Sequence, residues 1–111
     1  MKEYGEKAIS TLTSNHAYGS ITPDLMAQVL GLVGESGEVA EKFKKLVRDK
    51  GGEISEEDRQ ELLKELGDIL WYVNAVSVLL GSSLEETASK NLEKVLSRKA
   101  RGKTHGSGDN R

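Results

Sequence analysis

Proline occurs once in this sequence of 111 residues, at position 23, and that placement constrains the fold. Proline interrupts helices, so the chain after Pro23 is free to remain helical over long stretches. Apolar residues there recur at the spacing of one helix face, as Leu25, Val29, Leu32, Val39, Phe43 and Leu46. No segment alternates apolar and polar residues as a half-buried strand does. The sequence therefore predicts an all-α fold.

Start and stop signals place the first two helices. A weakly patterned amphipathic segment covers residues 3–14, and residues 15–21 are typical of a loop. Thr22-Pro23-Asp24 then combines a hydroxyl cap, a proline in the first turn and an early acid, which together favour a helix start. The apolar repeat continues to about Asp49, and Gly51-Gly52 interrupts it.

Two more helices follow the glycine pair. Ser55 and the acids after it resemble a capping box, and a third helix is predicted from there to about Leu80. Ser83 with Glu86 predicts another capping box, which starts a fourth helix that ends near Arg98.

These helices predict a single domain over residues 1–100, with residues 101–111 as a polar, glycine-rich tail. We expect a small bundle of about four helices around a central antiparallel hairpin, residues 24–80. Trp71, Tyr72 and Leu79 lie outside the main apolar stripe of the hairpin. We expect oligomerisation to cover them and to complete the bundle.

Composition argues against several classes of partner. The formal charge of −2 points to neither nucleic acid nor membrane. No apolar run approaches the roughly 20 residues that span a bilayer, and the polar start MKEYGEKAIS is unlike a signal peptide. The sequence contains no cysteine, which excludes disulfides and thiolate metal sites. We expect a cytoplasmic protein.

Two short acidic motifs match each other. Glu35-Ser36-Gly37-Glu38 and Glu65-Leu66-Gly67-Asp68 each place two acids three residues apart around a glycine. Acids at this spacing lie on one helix face, one turn apart, and both pairs border the apolar stripe of their helix. In an antiparallel hairpin, both pairs lie roughly 15–20 Å from the turn at about 1.5 Å per residue. We therefore expect the four carboxylates to converge.

Glycines beside the acids add to this pattern. Gly34, Gly37 and Gly67 each destabilise a helix by about 1 kcal/mol relative to alanine, so their presence suggests either close backbone approach or space for a ligand. Converging carboxylates repel one another unless cations balance them or some protonate. A ligand set made only of oxygen atoms favours Mg²⁺, with Mn²⁺ as a possible substitute.

Other acidic and imidazole groups do not share this pattern. A single Glu-x-x-Glu pair is usually a solvated helix face. We interpret six further acids of the third and fourth helices in that way: Glu56, Glu57, Asp58, Glu61, Glu85 and Glu86. His16 and His105 lie outside the predicted helices, which argues against the Glu-x-x-His pattern of di-iron bundles.

With their flanks, GLVGESGEVAEKFKK and ELGDILWYV, the motifs resemble the MazG-like nucleotide pyrophosphohydrolases, an all-α group whose signature is Glu-x-x-Glu followed by Glu-x-x-Asp. A later element of that family, Asn-x-x-Lys-x-x-x-Arg, matches Asn91, Lys94 and Arg98. The resemblance covers roughly residues 25–100. The tail GSGDNR resembles that of some small, phage-associated members.

This resemblance implies magnesium-dependent hydrolysis of a nucleoside triphosphate between its α and β phosphates, in a homodimer or homotetramer. It implies that the four acids of the two motifs, Glu35, Glu38, Glu65 and Asp68, bind the metal and carry the catalysis. Asn91, Lys94 and Arg98 would hold phosphates or a metal-linked water, although their spacing also suits an exposed polar face.

The lysines and aromatic residues beside the motifs each have two possible roles. Lys42 and Lys45 follow the first acid pair and could reach phosphates, but both are at least as well suited to pairing within their helix with Glu38 and Glu41. Trp71 and Tyr72 could stack on a base, although their spacing favours core or subunit packing.

Two other functional classes remain open at this point. One is a nucleotide- or metal-binding regulator without turnover, and the other is a non-catalytic helical adaptor whose acids are solvated. The adaptor predicts a melting temperature that magnesium does not change, because only a ligand that binds the folded state stabilises it.

Overall fold

The computed structural model describes residues 1–14, 16–102 and 108. They form four helices: α1 (Lys2–Ile9), α2 (Pro23–Lys50), α3 (Glu56–Leu79) and α4 (Leu84–Ala100). No strand occurs among these described residues. The all-α prediction is therefore confirmed, and α2 and α3 form the expected antiparallel hairpin.

Local chemistry explains the ends of the hairpin helices. The Thr22 side chain accepts a hydrogen bond from the Leu25 amide at 3.1 Å, which caps α2. Gly51 ends α2 in the left-handed conformation, with φ of 61°. At the start of α3, Ser55 and Asp58 form the reciprocal capping box. Asp58 also accepts from Lys50 Nζ at 2.7 Å, which joins the end of α2 to the start of α3.

A sharp corner separates α3 from α4. The chain bends by 101° there, and the Ser77 and Thr87 hydroxyls lie 2.7 Å apart across the corner. Ser83 caps α4 by accepting from the Glu86 amide at 3.0 Å. The Glu86 carboxylate accepts from the Ser82 hydroxyl, so only half of the second predicted capping box is present.

The first helix is shorter than the sequence suggested. We predicted it over residues 3–14, but α1 ends at Ile9. The Ser10 and Thr11 hydroxyls donate to the carbonyl oxygens of Lys7 and Ala8, at 2.6 and 2.8 Å. Such local bonds compete with helix continuation. No α-carbon of α1 lies within 8 Å of one in another helix, so no packing compensates for the poor helical pattern of residues 10–14.

Apolar packing within one chain is sparse. Leu46 and Leu62 are the buried apolar side chains among the described residues. Val29 and Phe43, which we assigned to the apolar face of the second helix, are exposed, and so are Leu66 and Leu80. The Cα radius of gyration is 19.5 Å, against about 13 Å for a compact domain of roughly 100 residues. One chain is an open arrangement of helices with much of its apolar surface uncovered.

None of the described helices alone is long and apolar enough to cross a bilayer. Among them, only the bent pair of α3 and α4 together has the length and composition of a span.

Candidate active site

Three carboxylates meet between the two helices of the hairpin. Glu35 and Glu38 lie on α2 and Glu65 lies on α3, and each offers an oxygen within 4.8 Å of the others. The three-residue spacing of Glu35 and Glu38 on α2 and the antiparallel pairing with α3 bring the acids together, because each acid borders the apolar stripe through which the helices pack. We call Glu35, Glu38 and Glu65 the acidic cluster.

The environment of the acidic cluster is unfavourable for bare anions. Glu35 Oε2 and Glu65 Oε2 are both buried and have no hydrogen-bond partner among the described residues. Burial raises the pKa of Glu35, and the nearby carboxylates of Glu38, Asp68 and Glu65 raise it further. Buried, unsatisfied oxygen atoms of this kind require a cation or a proton.

A divalent cation fits this donor set. The cluster offers carboxylate oxygens from two helices, which are the ligands that Mg²⁺ and Mn²⁺ prefer. A cation held by Glu35, Glu38 and Glu65 would satisfy the two orphaned oxygens and reverse the charge balance that raises the pKa of Glu35.

Asp68 lies beside this trio and not within it. It lines a cleft of about 380 Å³ together with Glu35, Trp71 and Tyr72. Its charge contributes to the raised pKa of Glu35. The expected convergence of four carboxylates is therefore a group of three, with the fourth on the wall of the adjoining cleft. At that position Asp68 can contact a ligand through a water molecule, or act on it at a distance through the negative charge of its carboxylate.

The Tyr72 ring packs against Gly31, a glycine that we did not single out from the sequence. A Cβ atom built on Gly31 would lie 2.2 Å from Tyr72 Cε1, so only glycine admits the ring. The glycines that we singled out, Gly34, Gly37 and Gly67, have no atom within 4 Å of such a Cβ. They make no close backbone approach in this chain, and they leave open space. Gly31 lies four residues before Glu35, on the same helix face, and that spacing was the available signal.

Lys42 is the cation nearest to the acidic cluster among the ion pairs of the described residues. Its Nζ lies 3.9 Å from Glu65 Oε1, across the hairpin. The pairing of Lys42 and Lys45 with Glu38 and Glu41 that we considered does not occur among the described residues; Glu41 Oε2 lies 4.0 Å from Lys44 Nζ instead. Lys42 also lines a second cleft of about 240 Å³ toward the turn, together with Lys45 and Lys50.

The three polar residues predicted to hold phosphates lie on α4, away from the acidic cluster. Asn91 is exposed, Lys94 is half-buried, and Arg98 is buried. Arg98 Nη2 donates to the Gly108 carbonyl at 3.2 Å. No α-carbon of α4 lies within 8 Å of one in α2, and neither cleft beside the acidic cluster includes a residue of α4. Within one chain, the structure does not bring these residues to the acids.

His16, the histidine that the structure describes, is not part of the acidic cluster. His16 lies in the segment between α1 and α2, outside the helices. His105 and most of the predicted tail fall outside the described residues.

Comparison with known proteins places the chain in a family. Residues 24–102 match the model of the MazG nucleotide pyrophosphohydrolase domain. This range contains both acidic motifs and the Asn-Lys-Arg element. The chain is also 51% identical over 82 residues to the Gene 37 protein of Mycobacterium phage L5, which covers 74% of this chain and 72% of the relative. No solved structure matches the chain.

Proposed function

The chain belongs to the MazG nucleotide pyrophosphohydrolase family, in the phage-associated type, and from that premise we propose that it hydrolyses nucleoside triphosphates to nucleoside monophosphate and pyrophosphate. The proposed reaction depends on Mg²⁺, with Mn²⁺ as a possible substitute, and serves to clear the nucleotide pool. The proposed enzyme is a homodimer or homotetramer.

The acidic cluster carries the proposal. Glu35 and Glu65 keep buried oxygens without hydrogen-bond partners among the described residues, beside an open cleft with one apolar wall. A solvated helix face, as in the adaptor reading, would leave its carboxylates in water. Structural packing offers no reason to place three acids within 4.8 Å of one another.

The chemistry requires the parts that this site offers. When bound, a divalent cation supplies neutralisation of the polyphosphate charge and polarisation of its phosphorus–oxygen bonds. Glu35, Glu38 and Glu65 would hold it, and Asp68 would orient water at the edge of the cleft. The oxygen of a water molecule forms a new bond to phosphorus, and the bond to the oxygen that bridges the α and β phosphates breaks. The proton of that water passes to a carboxylate of the cluster, and pyrophosphate leaves.

The cleft walls suggest how the rest of the nucleotide binds. Trp71 is 59% exposed and packs edge-on against Tyr72, with ring centroids 5.0 Å apart. An exposed aromatic face beside a phosphate site suits the stacking of a base. Lys42, on the other side of the cluster, suits the terminal phosphates.

Pyrophosphate release from the eight common ribo- and deoxyribonucleoside triphosphates tests the proposal. We expect release with Mg²⁺ and none with EDTA, and a loss of at least about 100-fold in Glu38→Gln, since a lost metal ligand removes several kcal/mol of stabilisation. Glu41→Gln is the matched control: it removes a similar charge three residues along α2, at an exposed residue outside the cluster. We expect it to retain wild-type turnover.

Two outcomes would contradict the proposal. One is the absence of pyrophosphate from every nucleotide together with a melting temperature that Mg²⁺ does not change. The other is equal activity of Glu38→Gln and Glu41→Gln, which would place the chemistry away from the acidic cluster.

A further inference from the structure

We infer that Lys42 competes with the divalent cation for Glu65: its ammonium group neutralises Glu65 in the metal-free protein, and it turns to the phosphates of the nucleotide after a cation has taken its place. The inference rests on the proposed function and gives a positioning role to a residue of α2. It follows from three observations: the place of Lys42 on its helix, the length of its ion pair, and the charges of the cleft on its other side.

Lys42 reaches the acidic cluster from the side of the hairpin turn. It lies seven residues after Glu35 and four after Glu38, so the three side chains follow one another along one face of α2. Its Nζ atom lies 3.9 Å from Glu65 Oε1, across the hairpin. No other ion pair among the described residues involves the cluster. Lys42 is therefore the counter-ion that the chain itself supplies to these acids.

The ion pair of Lys42 is loose, because its atoms are too far apart for a hydrogen bond. An ammonium group that donates to a carboxylate lies about 2.7–2.9 Å from it, and Lys50 Nζ lies 2.7 Å from Asp58 Oδ2. The Lys42 side chain is also 39% exposed, whereas that of Glu65 is 17% exposed. The ammonium group can thus leave Glu65 without breaking a hydrogen bond and without losing its contact with water.

The cleft of about 240 Å³ toward the turn offers Lys42 a second position, next to Lys45. Each acid that lines this cleft has a cation of its own: Asp49 pairs with Arg48, Asp58 with Lys50, and Glu61 with Lys64. Lys45 also acts on Asp49 through its charge, but Arg48 makes the hydrogen bonds to that carboxylate. The positive charges of Lys42 and Lys45 therefore suit a negatively charged ligand at this side of the cluster.

The charge that Lys42 meets changes when a cation binds. In the metal-free protein, the three carboxylates of the cluster and nearby Asp68 attract its ammonium group. A divalent cation on Glu65 balances two of these four negative charges and repels the ammonium group at close range. The polyphosphate of a nucleotide then brings new negative charge to the cation. Lys42 thus opposes the binding of the cation and favours the binding of the phosphates.

Metal binding in the absence of a nucleotide tests the competition. Lys42→Met keeps the length of the side chain and removes its charge, so we expect the variant to bind Mg²⁺ at least about threefold more tightly than the wild type. Isothermal titration calorimetry measures the Kd, in roughly 0.15 M salt, where charges more than about 8 Å apart are largely screened. Lys44→Met is the matched control, since it removes the same charge from an ion pair of 4.0 Å with Glu41, outside the cluster. We expect it to change the Kd by less than about twofold.

Pyrophosphate binding tests the second position of the ammonium group. With Mg²⁺ in excess, we expect Lys42→Met to bind inorganic pyrophosphate about tenfold more weakly than the wild type, because a charged hydrogen-bond donor is lost. Lys42→Arg keeps the positive charge and should stay close to the wild type in both titrations. The opposite signs of the two changes identify the role. A residue that only binds phosphate would leave the Mg²⁺ affinity unchanged, and one that only supports the fold would weaken both affinities.

Either of two results would overturn the inference: Mg²⁺ binding by Lys42→Met that is no tighter than that of the wild type, or pyrophosphate binding that is unchanged. Circular dichroism melts check that the variants are folded, and Lys42→Gln repeats both titrations if the methionine variant folds poorly. A wild type that binds no Mg²⁺ would reject the proposed function itself, and the inference with it.

Discussion

At Glu35, a carboxylate with a buried oxygen faces three other acids from a helix that packs against α3. Its pKa lies above the ordinary value of 4.5, so the folded protein binds this proton more tightly than the unfolded chain does. The sign follows: without metal, the fold loses stability as the pH rises through the ordinary carboxyl pKa and past the raised one.

Glu35→Gln should therefore raise the melting temperature of the metal-free protein at neutral pH and abolish its response to Mg²⁺. In the wild type, Mg²⁺ at 100 times its Kd should stabilise the fold by about 2.7 kcal/mol. Thermal melts with Mg²⁺ and with EDTA measure both effects, with Glu41→Gln as the control. A Mg²⁺ shift in Glu35→Gln equal to that of the wild type would show that Glu35 is not a ligand.

At Gly31, the fold requires a residue without a side chain, because the Tyr72 ring occupies the space that a Cβ atom would take. Gly31→Ala places a methyl group 2.2 Å from the Tyr72 ring, and we expect it to destabilise the fold by about 1–3 kcal/mol through overpacking. Gly34→Ala, on the same helix with open space at its Cβ, should gain up to about 1 kcal/mol from helix propensity. Urea denaturation compares them. Equal stability of the two variants would mean that Tyr72 does not occupy this contact.

Among the elements, the hairpin turn is fixed by one carboxylate. The Asp58 side chain accepts from Lys50 Nζ and from the Ser55 amide, and these bonds, the Lys50 bond foremost, lower the pKa of Asp58 to about 2. A carboxyl whose pKa is lowered in the folded state stabilises the fold above its ordinary pKa. That contribution is lost as the pH falls toward 2.

Asp58→Asn should therefore remove part of the pH dependence of stability between about pH 4 and pH 2. Chemical denaturation at a series of pH values across this window measures it. Lys50→Met, which keeps the Ser55 bonds, should remove a smaller part. A wild-type pH profile in Asp58→Asn would contradict the role of this bond in joining α2 to α3.

Helix starts were predictable from the sequence because their causes are local. Thr22, Ser55 and Ser83 cap the helices that their positions indicated. The end of α1 was not predictable in this way, because it depends on what α1 fails to pack against. Lys42 pairs across the hairpin with Glu65, and periodicity within one helix carries no information about the register between two.

The same distinction between local and tertiary causes applies to the candidate site. Matched motifs at equal depth predicted that all four acids would meet, since an antiparallel hairpin follows from one break in the helical pattern. Three of them, Glu35, Glu38 and Glu65, do meet. The position of Asp68 on the cleft wall depends on the rotation of α3, and the separation of Lys94 depends on the corner at Ser77 and Thr87. Both are tertiary quantities, and spacing along the sequence does not encode them.

For the whole molecule, two buried leucines in the described residues are too small a core for a chain of this length. Leu46 and Leu62 lie near the turn end of the hairpin, and most apolar residues beyond them are exposed. We expect light scattering to give a dimer or tetramer at micromolar concentration, and a melting temperature that rises with protein concentration. A monodisperse, folded monomer under these conditions would contradict self-association.

Trp71 gives the molecule a built-in optical probe. It is the sole tryptophan of the sequence, and it stands partly exposed on the cleft that it shares with Glu35 and Asp68. Fluorescence excited in the indole therefore originates from one place, beside the acids. Its colour and intensity follow the polarity and the quenching groups around that ring. Stopped-flow records of unlabelled protein can thus time the arrival of a cation, a nucleotide or a second copy as separate events.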